Sequence, residues 1–302
     1  MANELAPIVL FVYNRPLHTQ RTIEALKKNI LAKESILYIF SDAPKSNFND
    51  DINVKKVRHN ISTINGFKDI FIYERQRHLG LANSVISGVT EIIKKEGKVI
   101  VFEDDLISSP NFLQFMNNCL NFYFNNDKIF SISGYSFPIE IPEYYKEDIY
   151  LLPRSSSWGW ATWLNRWNKV DWELNDYHIF IKSKGKIKLF NRGGDDLTDM
   201  LISQKRNKID SWAIRWCYAH FKNNSYCLYP RLSKIQNIGV DKSGTHLKST
   251  EKYLTNVDDG FSETKMVHDI NINEDIISNL SSFYKRGIVK KFVRNIRLFF
   301  NI

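Results

Sequence analysis

Three consecutive carboxylates, Glu103, Asp104 and Asp105, follow directly on the apolar run Val99-Ile100-Val101-Phe102. Adjacent ionised carboxylates repel one another and are costly to desolvate, so a chain that keeps three together needs a compensating cation or donor. A hard divalent ion, Mg²⁺ or Mn²⁺, is the natural one, and it would itself hold the phosphate oxygens of a substrate. The plain alternative is a solvated acidic turn. The residues before the triplet favour the site: a continuous apolar run reads as a parallel strand buried on both faces, and ligands in such sheets bind just beyond the carboxyl ends of the strands.

Other runs of the same kind lie on either side of it. Strands are expected at 8–13 (IVLFVY), 35–40 (SILYIF), 69–73 (DIFIY), 98–102 (KVIVF) and 128–133 (KIFSIS), with helical spacing between them at Leu81, Val85, Val89 and Ile92/Ile93 and at Phe112, Phe115/Met116 and Cys119/Leu120. Ser109-Pro110 supplies an N-cap and a first-turn proline for the second of these helices. Alternating strands and helices predict an α/β fold, a mainly parallel sheet flanked by helices. The strand ends carry polar groups as well: Asn14 and Arg15 after the first, Ser41 and Asp42 after the second, and Arg75, Arg77, His78 and Asn83 after the third. Singly each could be a turn residue or a cap; together they line one edge of one sheet.

In this order, PIVLFVYNRP, FSDAP, RHLGLANSVISGV and VIVFEDDL, the chain resembles the donor half of the GT-A glycosyltransferases, whose D-x-D-type acidic motif binds a metal. It is similar to the metal-dependent N-acetylglucosaminyltransferase that begins complex N-glycan branching and to bacterial sugar transferases of polysaccharide assembly. The likeness is strong over residues 7–106 and looser beyond 150. It implies a Rossmann-like GT-A sheet, a nucleoside-diphosphate sugar as donor and Mn²⁺ or Mg²⁺ as cofactor; it does not reveal which base the nucleotide carries, UDP being the first expectation. It also implies roles: Arg15 and Asp42 near the base or ribose, Arg77 and His78 near the nucleotide, Glu103 and Asp104 beside the ribose and sugar, and Asp105 on the metal. Asn14 and Asn83 fall within the same nucleotide-sugar edge.

From about residue 134 the texture changes to tryptophan-rich, loop-rich sequence. Three regions are expected: a donor-binding half at 1–133, an acceptor-binding and catalytic half at 134–250, and a linker with a C-terminal amphipathic helix at 251–302. Inverting sugar transfer needs a base on the acceptor side. Asp210, in KIDSWAIRW, matches with a one-residue ambiguity the segment that carries the base in the N-acetylglucosaminyl enzyme, although Ser211 stands where a second acid would be. Asp195 and Asp196 are held in reserve, and Asp210 could equally be a helix N-cap. Trp158 and Trp160 in SSSWGWATW are candidates for stacking on an acceptor sugar, with Trp163 and Trp167 expected in the core. His246 matches a position that reaches back to the metal or diphosphate, though a loop histidine is commonly just exposed.

The bulk properties bound the rest. The 302 residues have 43% hydrophobic and 25% charged content and no apolar run near the ~20 residues of a membrane-spanning helix. No secretion signal is read at the amino terminus, so a cytoplasmic protein is expected. Cys119, Cys217 and Cys227 lack C-x-x-C spacing and are expected to be buried, reduced thiols. Six of the nine excess positive charges fall within residues 281–302, where there is no acid, which argues against nucleic acid as a partner. In that tail Ile288, Val289, Phe292, Val293, Ile296, Phe299 and Phe300 share one helical face opposite Lys290, Lys291, Arg294 and Arg297. Such a basic amphipathic helix would either pack on the protein or hold it at an anionic membrane surface, where a lipid-linked glycan acceptor would be met. Two other readings remain: a sugar-nucleotide nucleotidyltransferase, which would show a Gly-rich basic loop after the first strand where this chain has YNRPLHT, and a non-catalytic sugar-binding module, which leaves the acid triplet without a purpose.

Overall fold

The computed structural model describes residues 4–45, 48–240, 250–260 and 263–285. Ten strands and ten α-helices lie within them, besides two short 3-10 turns: β1 (Ile8–Val12), α1 (Pro16–Lys27), β2 (Ile36–Ser41), α2 (Phe48–Ser62), β3 (Asp69–Glu74), α3 (Leu81–Glu96), β4 (Lys98–Glu103), β5 (Leu106–Ser108), α4 (Phe112–Phe122), β6 (Ile129–Ser133), β7 (Ile149–Leu152), β8 (Trp160–Trp163), α5 (Leu164–Trp167), α6 (Tyr177–Phe180), α7 (Lys184–Phe190), α8 (Leu197–Lys205), α9 (Trp212–Lys222), β9 (Tyr226–Pro230), β10 (Ile235–Asn237) and α10 (Glu274–Phe283). The five expected strands are all present, each end within one residue of its expected place. Continuous β-branched and aromatic runs leave little freedom in where such a strand can lie.

Eight strands form one sheet in the order β3-β2-β1-β4-β8-β6-β9-β7, and β5 and β10 form a separate antiparallel pair. The β3-β2-β1-β4 portion is wholly parallel; β8 enters between β4 and β6 antiparallel to both. The end of β6 at Ser133 is where the donor-side region was expected to stop, and the sheet continues across that point through β8, β9 and β7.

Side chains alternate between the two faces, as the period of a strand requires. Ile8, Leu10 and Val12 of β1 pack with Ile23 and Leu26 of α1, Val57 and Ile61 of α2, and the apolar stripe of α4. Val9 and Phe11 face the other way, onto Val85, Val89 and Ile92 of α3 and Trp212 and Trp216 of α9. A satellite core joins Phe180, Phe190, Leu197, Leu201, Ile214 and Tyr218 beneath α6 to α9. The architecture is the α/β arrangement expected from the sequence, a mainly parallel sheet flanked by helices.

Two local expectations need correction. Helix α4 starts two residues after Ser109-Pro110: Asn111 occupies the N-cap position, and the Ser109 hydroxyl donates to the Asn111 side chain at 2.8 Å instead of capping the helix. The described part of the polar stretch expected as a linker is loop but not free: Ser233 bridges to Val257, and Lys234 and Asp258 form a buried ion pair. All three cysteines are free and buried, and no helix among the described residues is long and apolar enough to cross a membrane. The amphipathic segment proposed for the tail lies, from residue 286 onward, outside the described residues, as does His246.

Candidate active site at the carboxyl edge of the sheet

Since β1 lies between β2 and β4, the residues that follow these strands are neighbours in space. Arg15 is the N-cap residue of α1, set there by Pro16 at the first helical position. Its Nη2 pairs with Asp104 and lies 3.0 Å from Oδ2 of Asp105. The acidic turn is braced from α1 by Thr22, a fully buried residue whose hydroxyl donates to the Asp104 carbonyl at 2.9 Å and accepts from the Leu106 N–H at 3.2 Å. On the far side, Ile238 N–H donates to the Asp105 carbonyl at 2.8 Å, so the end of β10 closes over the turn. A Cβ on Gly239 would stand 2.1 Å from Asp105 Oδ2, so any side chain there would push the Asp105 carboxylate aside.

The electrostatics are unbalanced. Among the described residues, Glu103, Asp104 and Asp105 have one guanidinium between them. Desolvation, reinforced by the charges of Asp105 and Asp104, holds the Glu103 carboxyl well above the usual carboxylate range. Desolvation raises Asp104 as well, partly offset by Arg15. Two polar atoms of the cluster are buried with no hydrogen-bond partner: Asp105 Oδ1 and Arg15 Nη1. An unmet acceptor on a carboxylate fits a cation, and Asp105 is the residue best disposed to hold one. Among the described residues no three acids, histidines or cysteines converge on a ready-made metal cage, so a cation here would need ligands from the substrate.

A second polar group lies at the ends of β2 and β3. Asp42 is buried, accepts the N–H groups of Leu79 and Gly80, both at 2.9 Å, and sits 2.9 Å from Nδ1 of His78. The same His78 nitrogen is 3.0 Å from the Ala43 carbonyl; with two acceptors in front of it, Nδ1 carries the proton. The His78 ring lies against Tyr13 at 5.1 Å between centroids. Asp50 of α2 accepts from Tyr13 at 2.9 Å and from the Asn14 amide at 2.5 Å, so a helix with no expected role fixes two residues of the edge. Arg77 is exposed, and the exposed Asn83 turns its amide back to the Leu79 carbonyl at 3.1 Å.

The acceptor-side residues scatter. Trp160 is fully buried, with ring centroids 5.1, 5.4 and 5.9 Å from Trp212, Trp216 and Trp167. It belongs to β8 at the centre of the sheet and cannot meet a sugar; a tryptophan in a central strand is covered on its face by the helices above it. Trp163 and Trp167 are core residues, as expected. Trp158 is half-buried against Tyr135 and Tyr253, at 4.5 and 5.7 Å. Asp210 is exposed and ion-paired with Arg215 at 3.0 Å. The N-cap of α9 is Ser211, whose hydroxyl accepts from Ile214 N–H, so the capping alternative for Asp210 is set aside. Asp196 is clamped by both terminal nitrogens of Arg154, at 2.8 and 2.9 Å, while Asp195 is partly exposed beside it.

Sequence reasoning missed Tyr13, Thr22, Asp50, Arg154 and Gly239. Tyr13 adjoins the polar strand end and could have been counted with it; the others carry no local signal.

No protein-family model and no curated protein matches the chain. Among solved structures it is similar to UDP-glucose pyrophosphorylase complexed with UDP-glucose, at 10% identity and TM-score 0.37, over 75% of this chain and 90% of that one. It is also similar to residues 1–349 of S. aureus TarS in complex with UDP, at 9% identity and TM-score 0.39, over 76% of this chain and 58% of that one. At these scores the overlap fixes neither substrate nor reaction.

Proposed function

We propose that the protein is a divalent-cation-dependent GT-A glycosyltransferase that moves a sugar from a nucleoside diphosphate, UDP foremost, to a hydroxyl of a glycan or lipid-linked glycan, with inversion. The observation that carries this reading is the acid triplet at the carboxyl end of a central parallel strand, with a buried and unmet oxygen on Asp105. Asp105 would hold Mn²⁺ or Mg²⁺, with Glu103 and Asp104 beside it. The ion, when bound, would neutralise the charge that builds on the departing diphosphate.

The chain's own groups do the rest. Arg15 offers a buried, unmet N–H toward an anion. Asp42 acts through the loop it holds: it fixes the start of α3 and orients His78, which with Tyr13 presents a ringed surface to a nucleotide. Asp210 is the preferred base for the acceptor hydroxyl, since it is exposed and held at one oxygen only, whereas Asp196 is fixed at both. Residues 285–302 would hold the enzyme at the cytoplasmic face of a membrane. Co-sedimentation with anionic liposomes, lost on truncation after Tyr284 and weakened by salt, is the expected result.

The main test is thermal shift with UDP-, GDP-, CMP- and dTDP-linked ligands, with and without Mn²⁺. A bound donor at a hundredfold excess over its dissociation constant adds about 2.7 kcal/mol of apparent stability. No cation-dependent shift with any of them would remove the reading. Formation of UTP and a sugar phosphate when pyrophosphate is added to a UDP-sugar would instead make the protein a nucleotidyltransferase. Asp210→Asn should stay folded, bind donor normally and lose turnover; normal turnover would pass the role to Asp195.

A further inference from the structure

Arg15 does not grip its carboxylates as an arginine in a permanent pair does. The planar guanidinium is built to give two parallel N–H bonds to one carboxylate. Arg154 shows that form elsewhere in the same chain: its two terminal nitrogens meet the two oxygens of Asp196, and Nη1 also donates to the Gly193 carbonyl at 3.1 Å. At Arg15 a single nitrogen, Nη2, serves both Asp104 and Asp105, and Nη1 is buried with no acceptor. The Asp105 oxygen left over, Oδ1, is buried with no donor. One guanidinium thus faces three acids, with a donor unused on one side and an acceptor unused on the other.

The acids themselves have little room to shift. Thr22 pins the turn from α1, Ile238 N–H pins it from β10, and the backbone of Gly239 lies close against the Asp105 carboxylate. Arg15 is the movable member: it has a long side chain, 19% exposed, at the end of a helix.

Resting on the reading of this cluster as a cation site, we infer that Arg15 is a built-in placeholder for the divalent ion, occupying the acid cluster in the cation-free enzyme and leaving it when a cation binds at Asp105. Released, its guanidinium is free for the anion that accompanies the cation. The exchange satisfies both unmet atoms, the acceptor by the ion and the donor by the anion. It also makes binding of the two mutually dependent, since a cation alone has to displace a positive charge that has no other partner.

The test uses Mn²⁺ alone, without nucleotide, with binding followed by calorimetry and by the electron paramagnetic signal of free Mn²⁺. Arg15→Gln removes the competing charge and should bind Mn²⁺ at least about tenfold more tightly than wild type, while Arg15→Lys, which keeps the charge, should stay near wild type. In chelator Arg15→Gln should melt below wild type, and Mn²⁺ should close the gap. If that variant folds only when Mn²⁺ is present, the same expectation is met in another form. Equal or weaker Mn²⁺ binding by Arg15→Gln, or a variant that stays unfolded in millimolar Mn²⁺, overturns the placeholder role. That failure is separable from failure of the proposed function: in the first case wild type still shows a Mn²⁺-dependent shift with a nucleotide, and in the second it shows none.

Discussion

Two buried charge clusters in this molecule are built on opposite plans. Lys234 and Asp258 are 2% and 4% exposed and pair one to one. The second Asp258 oxygen takes the Gly260 N–H at 2.7 Å, and Asn111 lies 3.4 Å from the first. The Arg15 cluster has three acids for one base, and a buried atom without a partner on each side of the charge. A complete pair is the form that burial tolerates, because every desolvated charge recovers an interaction. An incomplete one is unfavourable to fold and therefore points to a ligand. The first cluster fastens residues 250–260 to the body of the protein; the second is left with an unmet acceptor and an unmet donor, which on the proposed reading a cation and an anion would satisfy.

The comparison can be broken most sharply at Lys234. Lys234→Met leaves Asp258 buried and uncompensated and should cost about 3–5 kcal/mol in urea unfolding, with most of that recovered when Asp258→Asn is added. A loss below about 1 kcal/mol would mean the pair is not the fastening it looks like. At the other cluster the sign should differ. Asp105→Asn relieves repulsion and should leave the melting temperature unchanged or higher, yet lower turnover by about a hundredfold and abolish the Mn²⁺-dependent nucleotide shift. Parallel losses of stability and activity would erase the contrast between the two.

His220 sharpens it from a third side, as a buried group kept neutral. Its Nδ1 donates to the Trp216 carbonyl at 2.8 Å, Nε2 accepts from Ser131 at 2.7 Å, and burial pulls its pKa from 6.5 down to about 4. A histidine depressed in the folded state stabilises fully above its unfolded value and loses that contribution as pH falls toward the folded one. Between pH 7 and pH 5 the loss should be about 2 kcal/mol, and His220→Gln should flatten that part of the profile. An unchanged slope would mean that this histidine is not held neutral. The smallest effect belongs to the exposed Asp51–Lys55 pair of α2, 2.7 Å apart with side chains 42% and 73% exposed. Lys55→Met should change stability by less than about 0.5 kcal/mol.

The sequence made the parallel core readable because its strands are unbroken apolar runs bounded by polar turns, and the acid triplet readable because it ends one of them. Strand β8 was hidden: the four residues WATW carry no alternation, and two tryptophans beside a glycine suggest a sugar platform as readily as a strand. Gly159 has φ of +60°, and a side chain there would meet Ile235 at 2.8 Å, so the glycine serves the approach of β10 and not a ligand. Helix α2 was missed because its buried residues are few, Val54, Val57 and Ile61, within an otherwise polar stretch. The pairings of the site depend on contacts across the chain, Asp50 to Asn14 and Gly239 to Asp105, which no local pattern encodes. What was legible was which residues arrive at the edge; how they are paired there was not.

The entry of β8 between β4 and β6 also has a consequence for how the protein is made. When a ribosome has finished β4 and β6, the strands that will lie between and beside them are still to come: Trp160–Trp163 some 27 residues after β6, and Tyr226–Pro230 more than 90 after it. At about 5–20 residues per second, the open flank of β6 waits many seconds for β9. Until β8 arrives VIVF, and until β9 arrives IFSIS, presents unpaired backbone and apolar side chains, the form of edge through which chains join one another. The acid-bearing strand stays open until β8 is made, and a synthesis that stalls near residue 150 would leave that edge as an adhesive surface.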